Sequence, residues 1–124
     1  MGKKLEVVVV DDEVSITDLL ESYIHFLSKS AAVHSFNDPI EAQRFIKQNT
    51  VDVLITDYKM PNVNGIQLME QTNPSTTRIM ISGYLSEIAE EKLQELKAFF
   101  FEKPVPMKRL GQIIAQREAA LTTA

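Results

Sequence analysis

Cysteine is absent from the chain, so neither a disulfide framework nor a thiolate metal site can hold it together. That absence fits a cytoplasmic protein. Basic residues are outnumbered: 13 lysines and arginines against 17 acids leave a formal charge of -4, with no footprint for a polyanion. Direct binding of nucleic acid, or of an anionic membrane surface, is therefore not expected. Long apolar runs are missing as well. The start, MGKKLEVVVVDDE, joins two lysines to a short hydrophobic stretch that ends in three acids, which is neither a signal peptide nor a membrane span. Histidine occurs twice, at His25 and His34, and neither has a second ligand at helical spacing, so both read as surface residues rather than phosphodonors or ligands. No repeat, low-complexity tract or linker divides the 124 residues, a length that suits one domain, 1-124, with a real core.

What is present centres on Val51 to Gly65, VDVLITDYKMPNVNG. The continuous run Val53, Leu54, Ile55 reads as a strand buried on both faces, as in the middle of a parallel sheet. Asp57 then stands at its carboxyl end, where the loops of a parallel sheet converge and ligands bind. The same position also suits an acid that caps a turn or a helix.

Leu5 to Val10 is a second such run, followed directly by Asp11, Asp12 and Glu13. Ile16, Leu19, Leu20, Tyr23, Ile24 and Leu27 make one helical stripe over Val14 to Ser28. Ala32 to Phe36 reads as a strand, and Asp38-Pro39 with Glu41 as a helix start whose inner residues are Ala42, Phe45 and Ile46. Val51 to Thr56 is the third strand, and Asn64-Gly65 opens a short helix with Ile66, Leu68 and Met69. After the turn at Asn73 to Thr77, Arg78 to Ser82 forms a fourth strand. Ser86 is the expected cap of an acidic fourth helix with Ile88, Ala89, Leu93 and Leu96 inward. Ala98 to Glu102 is the fifth strand, and Pro106 to Thr122 a last helix with Leu110, Ile113, Ile114 and Leu121 in register.

Five strands alternating with five helices predict an α/β fold, a doubly wound parallel sheet with helices on both faces. Five strands fit the flavodoxin-like order 2-1-3-4-5, for which a chemotaxis signalling protein is a standard example. That order sets Asp11 and Asp12 across one crevice from Asp57, with Ser82 and Lys103 delivered to the same edge by the fourth and fifth strands. Clustered carboxylates repel unless a cation lies among them, and a hard divalent ion such as Mg²⁺ suits their oxygens. A carboxylate beside such an ion can attack a phosphoryl group, with an ammonium and a hydroxyl holding the transferring oxygens. Taken singly, Ser82 is a common turn hydroxyl, Lys103 a common surface charge, and the acids after the first strand a common helix start. Their joint placement favours the functional reading.

Val9-Val10-Asp11-Asp12-Glu13, Asp57-Tyr58-Lys59-Met60-Pro61 with Gly65, Ser82-Gly83 and Lys103-Pro104, in that order, resemble the receiver domain of two-component response regulators. The resemblance implies that Asp57 accepts a phosphoryl group from a sensor histidine kinase. It further implies Mg²⁺ held by Asp12, by Asp11 through water, by Asp57 and by the backbone carbonyl of Lys59. Ser82 and Lys103 would bind the phosphoryl group, with Lys103-Pro104 cis. Phe100 takes the place of the switch aromatic, and Lys59 and Tyr84 the two places that tune phosphoryl lifetime. The signal would leave through the face of the fourth helix, fifth strand and fifth helix. It would reach a downstream protein or an output domain, with a dimer on phosphorylation left open.

Two departures stand out: the segment from Asp57 to Ser82 is short for the family, and Glu95-Leu96-Lys97-Ala98 lacks the usual glycine-containing turn. Two rival readings remain. A haloacid-dehalogenase-like phosphatase also uses an aspartyl phosphate, but it needs an acidic pair after the lysine that Pro104 to Lys108 does not supply. A receiver-like docking module without phosphoryl turnover is opposed by the complete set of five residues. No output domain follows the last helix, which suits either a stand-alone regulator or a piece of a longer one.

Overall fold

The computed structural model describes residues 3–123. Its strands are β1 (Glu6–Val10), β2 (Ala32–Phe36), β3 (Val53–Thr56), β4 (Thr77–Ser82) and β5 (Phe99–Glu102). They alternate with α1 (Val14–Leu27), α2 (Pro39–Gln48), α3 (Gly65–Glu70), α4 (Glu90–Leu96) and α5 (Met107–Thr123). The sheet order is β2-β1-β3-β4-β5 and every pairing is parallel, as the alternation of elements requires.

Side chains along a strand alternate between faces, so an unbroken apolar run feeds two cores at once. Val7, Val9, Val53, Ile55, Ile79 and Ile81 meet Leu20 and Ile24 of α1 and Leu110, Ile113 and Ile114 of α5. Val8, Val10, Leu54 and Met80 meet Ala42 and Ile46 of α2, Leu68 and Met69 of α3, and Leu96 of α4. Each such side chain, once fully buried, contributes about 1.5–3 kcal/mol. Two packed layers therefore hold the sheet ends in place.

Local signals set most helix starts. Asp38 accepts from the Ile40 N–H at 2.9 Å, and Pro39 occupies the first turn of α2. Asn64 and Gln67 cap α3 reciprocally, at 2.9 and 2.8 Å, which supports a helix otherwise too short to be stable alone. The short Asp57 to Ser82 segment is absorbed there: α3 has 6 residues, and a tight turn links Thr76 N–H to the Asn73 carbonyl at 3.0 Å.

Three expectations need correction. Ser86 does not cap the fourth helix; Leu85–Glu87 form a single 3-10 turn, and α4 starts at Glu90 after an exposed Ala89. Ile88 lies between them in extended backbone and is buried, and its burial outweighs the roughly 1 kcal/mol that a serine cap contributes. On α1, Leu19 and Leu27 are 46% and 40% exposed, and Thr17 is buried in their stead. The helix rests on the line Thr17, Leu20, Ile24, and the Thr17 hydroxyl tolerates the core because it donates to the Val14 carbonyl and accepts from Asn37. The third strand begins at Val53 rather than Val51.

The missing glycine before β5 leaves a mark. Lys97 ends α4 in the left-handed region, at φ 52° and ψ 52°, where a Cβ is unfavourable. Lys97→Gly should raise stability by about 0.5–1 kcal/mol, after the extra unfolded-state entropy of glycine is subtracted. The urea midpoint reads this directly, and a lower midpoint would refute it.

Candidate functional site

The acids and the lysine sit one or two residues past strand ends, and Ser82 is the last residue of β4. The parallel hydrogen-bond ladder runs on into these positions: Asp11 N–H donates to the Phe36 carbonyl at 3.2 Å, Asp57 N–H to Val10 at 3.0 Å and Lys103 N–H to Ser82 at 3.1 Å. Asp11, Asp57 and Lys103 are therefore placed by the sheet itself. The Asp57 carbonyl is fixed further by the Thr56 hydroxyl, at 2.8 Å, and the Asp11 carbonyl by Asn37, also at 2.8 Å.

The Lys103 ammonium bridges the two buried acids, 3.1 Å from Asp57 Oδ2 and 3.2 Å from Asp11 Oδ2, with Glu13 Oε1 at 3.6 Å. The remaining oxygens take backbone donors: Asp11 Oδ1 accepts from Glu13 N–H at 2.9 Å and Asp57 Oδ1 from Tyr58 N–H at 2.7 Å. Burial raises the Asp11 pKa above its ordinary value and the charge of Asp57 adds to the rise, against the Glu13 N–H and Lys103. For Lys103, burial works against the ammonium, but the hydrogen bond with Asp57 and the field of Asp11 outweigh it and raise its pKa. One cation thus faces more negative charge than it can balance.

Carboxylate oxygens of Asp11, Asp12 and Asp57 lie within 4.8 Å of one another, the first and last buried and Asp12 exposed. Three hard oxygen donors around a partly desolvated, acid-rich point fit a divalent ion such as Mg²⁺.

The cleft above them is lined by Asp12, Glu13, Asp57, Lys59, Gly83, Tyr84 and Lys103. Ser82 is on the same edge but fully buried, and its Oγ accepts from Tyr84 N–H at 3.0 Å instead of facing the cleft. Phe100 is half-buried against the core beneath α4. Lys103-Pro104 is cis. Sequence reasoning missed Glu87, whose Oε1 lies 2.9 Å from Lys59 Nζ, because 28 residues separate the pair and neither belongs to a motif that names the other. It missed Thr56 and Asn37 because both act on main-chain carbonyls, which no side-chain motif marks.

The model of the response regulator receiver domain matches residues 7–115. The chain is 31% identical over 113 residues to the response regulator protein PilR of Pseudomonas aeruginosa, covering 86% of this chain and 24% of that protein. It is 30% identical over 130 residues to a protein-glutamate methylesterase/protein-glutamine glutaminase of Gluconobacter oxydans, covering 95% of this chain and 37% of that protein. The chain thus spans well under half the length of these curated relatives. Among solved structures, the response regulatory domain of MrkE from Klebsiella pneumoniae superposes with a TM-score of 0.80 at 23% identity, covering 97% of this chain and all of that one. At that identity the likeness speaks for the fold.

Proposed function

We propose, from the premise that this chain belongs to the response regulator receiver domain family of two-component systems, that Asp57 accepts a phosphoryl group from a phosphohistidine of a sensor histidine kinase. The observation that carries the reading is the Lys103 ammonium held between Asp57 and Asp11 within an acidic cleft. The Tyr58 N–H sets the plane of the Asp57 carboxylate, leaving its other oxygen to bond phosphorus as the phosphorus–nitrogen bond breaks and the imidazole keeps the electron pair. Asp11, Asp12, Asp57 and the Lys59 carbonyl would hold Mg²⁺, which when bound neutralises charge on the transferring oxygens. Lys103 follows the phosphoryl group as a second positive charge.

Ser82 is the mobile partner. Its oxygen accepts a hydrogen bond, so its own proton is available to a phosphoryl oxygen once the end of β4 draws in. That movement vacates space beside Phe100, whose ring has no phenolic hydroxyl to fix it in either state. The face of α4, β5 and α5 changes with it and passes the signal to a downstream protein or output domain. The whole chain, 1-124, acts as one cytoplasmic receiver unit without direct contact to nucleic acid. None of its described helices is long and apolar enough to cross a membrane.

Intact mass after incubation with acetyl phosphate tests the reading. One Mg²⁺-dependent phosphoryl gain that Asp57→Ala abolishes is expected, and no gain under any condition would remove the acceptor role. After donor removal, Lys59→Ala and Tyr84→Ala should each change the rate of loss, because both side chains line the cleft through which water enters.

A further inference from the structure

We propose that Lys59 and Glu87 form a latch across the mouth of the site, and that a phosphoryl group on Asp57 opens it by drawing the Lys59 ammonium away from Glu87. The latch rests on the acceptor reading above and adds Glu87 to it as a positioning residue. Lys59 belongs to the loop after β3, whereas Tyr84 and Glu87 bracket the 3-10 turn after β4. Lys59 Nζ lies 2.9 Å from Glu87 Oε1 and 4.5 Å from the centre of the Tyr84 ring, so a single ammonium ties the two loops together.

Position makes this pair more than a surface ion pair. Lys59 and Tyr84 line the cleft with Asp57, and Glu87 does not. Lys59 therefore belongs to the lining of the phosphorylation cleft while its ammonium is held by a carboxylate outside that lining. A phosphoryl group carries about -1.5 to -2 charges and presents three acceptor oxygens, against one charge on Glu87. The competition favours the phosphoryl group.

The gripped turn is also the one that restrains Ser82. The Ser82 hydroxyl holds the Tyr84 N–H at 3.0 Å, and the turn's own closures are Glu87 N–H to Tyr84 carbonyl and Ile88 N–H to Leu85 carbonyl, each 3.0 Å. Both sides of the pair are about half exposed, at 53% and 45%, so loss of the bridge loosens the turn without threatening the fold. Release of Glu87 thus frees the segment that must move with Ser82 and that leads through Ile88 into α4.

A double-mutant cycle on the full chain tests the latch, with Mg²⁺-dependent uptake from acetyl phosphate followed by intact mass. Glu87→Gln, which keeps the shape and removes the charge, should speed uptake about 2- to 5-fold by freeing Lys59 to meet the incoming phosphoryl group. In a Lys59→Met background the same change should have no effect. Hydrogen exchange at the Glu87 and Ile88 amides should rise with Glu87→Gln, and in the wild type on phosphorylation. An equal acceleration in both backgrounds would overturn the latch and assign the effect to the general field of the carboxylate. So would an unchanged rate with unchanged exchange. Absence of any uptake by the wild type would overturn the acceptor reading, and the latch with it.

Discussion

Lys103→Ala is expected to slow phosphoryl uptake at Asp57 by about 10²–10³-fold, the usual loss when one preorganised charge donor is removed from a transferring group. The same change should destabilise the metal-free protein. Asp11 and Asp57 are 3% and 8% exposed, and without the ammonium their facing oxygens have no positive partner among the described residues. Breaking a buried pair costs about 3–5 kcal/mol, and the partial exposure of Lys103 brings the expectation here to about 2–3 kcal/mol. Mg²⁺ should recover more stability in this variant than in the wild type, because the ion supplies the charge that the lysine no longer does. Urea unfolding with and without Mg²⁺, beside the uptake assay, measures both effects. A variant as stable as the wild type, with unaltered uptake, would show that Lys103 is not the counter-charge of the cluster.

Gly65→Ala should damage both stability and uptake although it adds only a methyl group some distance along the chain from Asp57. A Cβ at Gly65 would fall on the Asp57 carbonyl oxygen and within 2.8 Å of Met80 Cε. The methionine can yield; the carbonyl cannot, since the Thr56 hydroxyl holds it at 2.8 Å and the Gly65 N–H ties α3 to the neighbouring Tyr58 carbonyl at 2.9 Å. Overpacking of this kind costs about 1–3 kcal/mol. Displacing the acceptor carboxylate by an ångström should reduce uptake by about 10²-fold. Gly83→Ala is the control for stability alone, because a Cβ there meets nothing within 4 Å although the residue lines the cleft. Equal stability of the two variants would show that close approach at Gly65 does not matter.

Much of this was legible in the chain because the signals are local. The runs before Asp11 and Asp57 read as buried strands, and Val8, Leu54 and Ile55 are indeed enclosed on their respective faces. Asp38-Pro39 and Asn64-Gly65 start helices through side chains acting within three residues. The fourth helix was misread for the converse reason: Ser86 is a good local signal, but burial of Ile88 is a tertiary term and it prevails. Leu19 and Leu27 fell outside the α1 contact line because periodicity defines a stripe, not which part of it the sheet covers.

By itself, then, the sequence determined the element order, the parallel sheet and the identity of the acids, hydroxyl and lysine at the strand ends, since period, turn chemistry and strand termination depend on near neighbours. Tertiary structure alone decided which atoms meet. Lys103 reaches Asp11 across 92 residues and Asp57 across 46, Ser82 turns its oxygen to its own loop, and Lys59 finds Glu87 across two loops. Those pairings follow from how two cores clamp the sheet and which side chains are left facing one cleft, a balance of burial and charge that only the folded chain brings together.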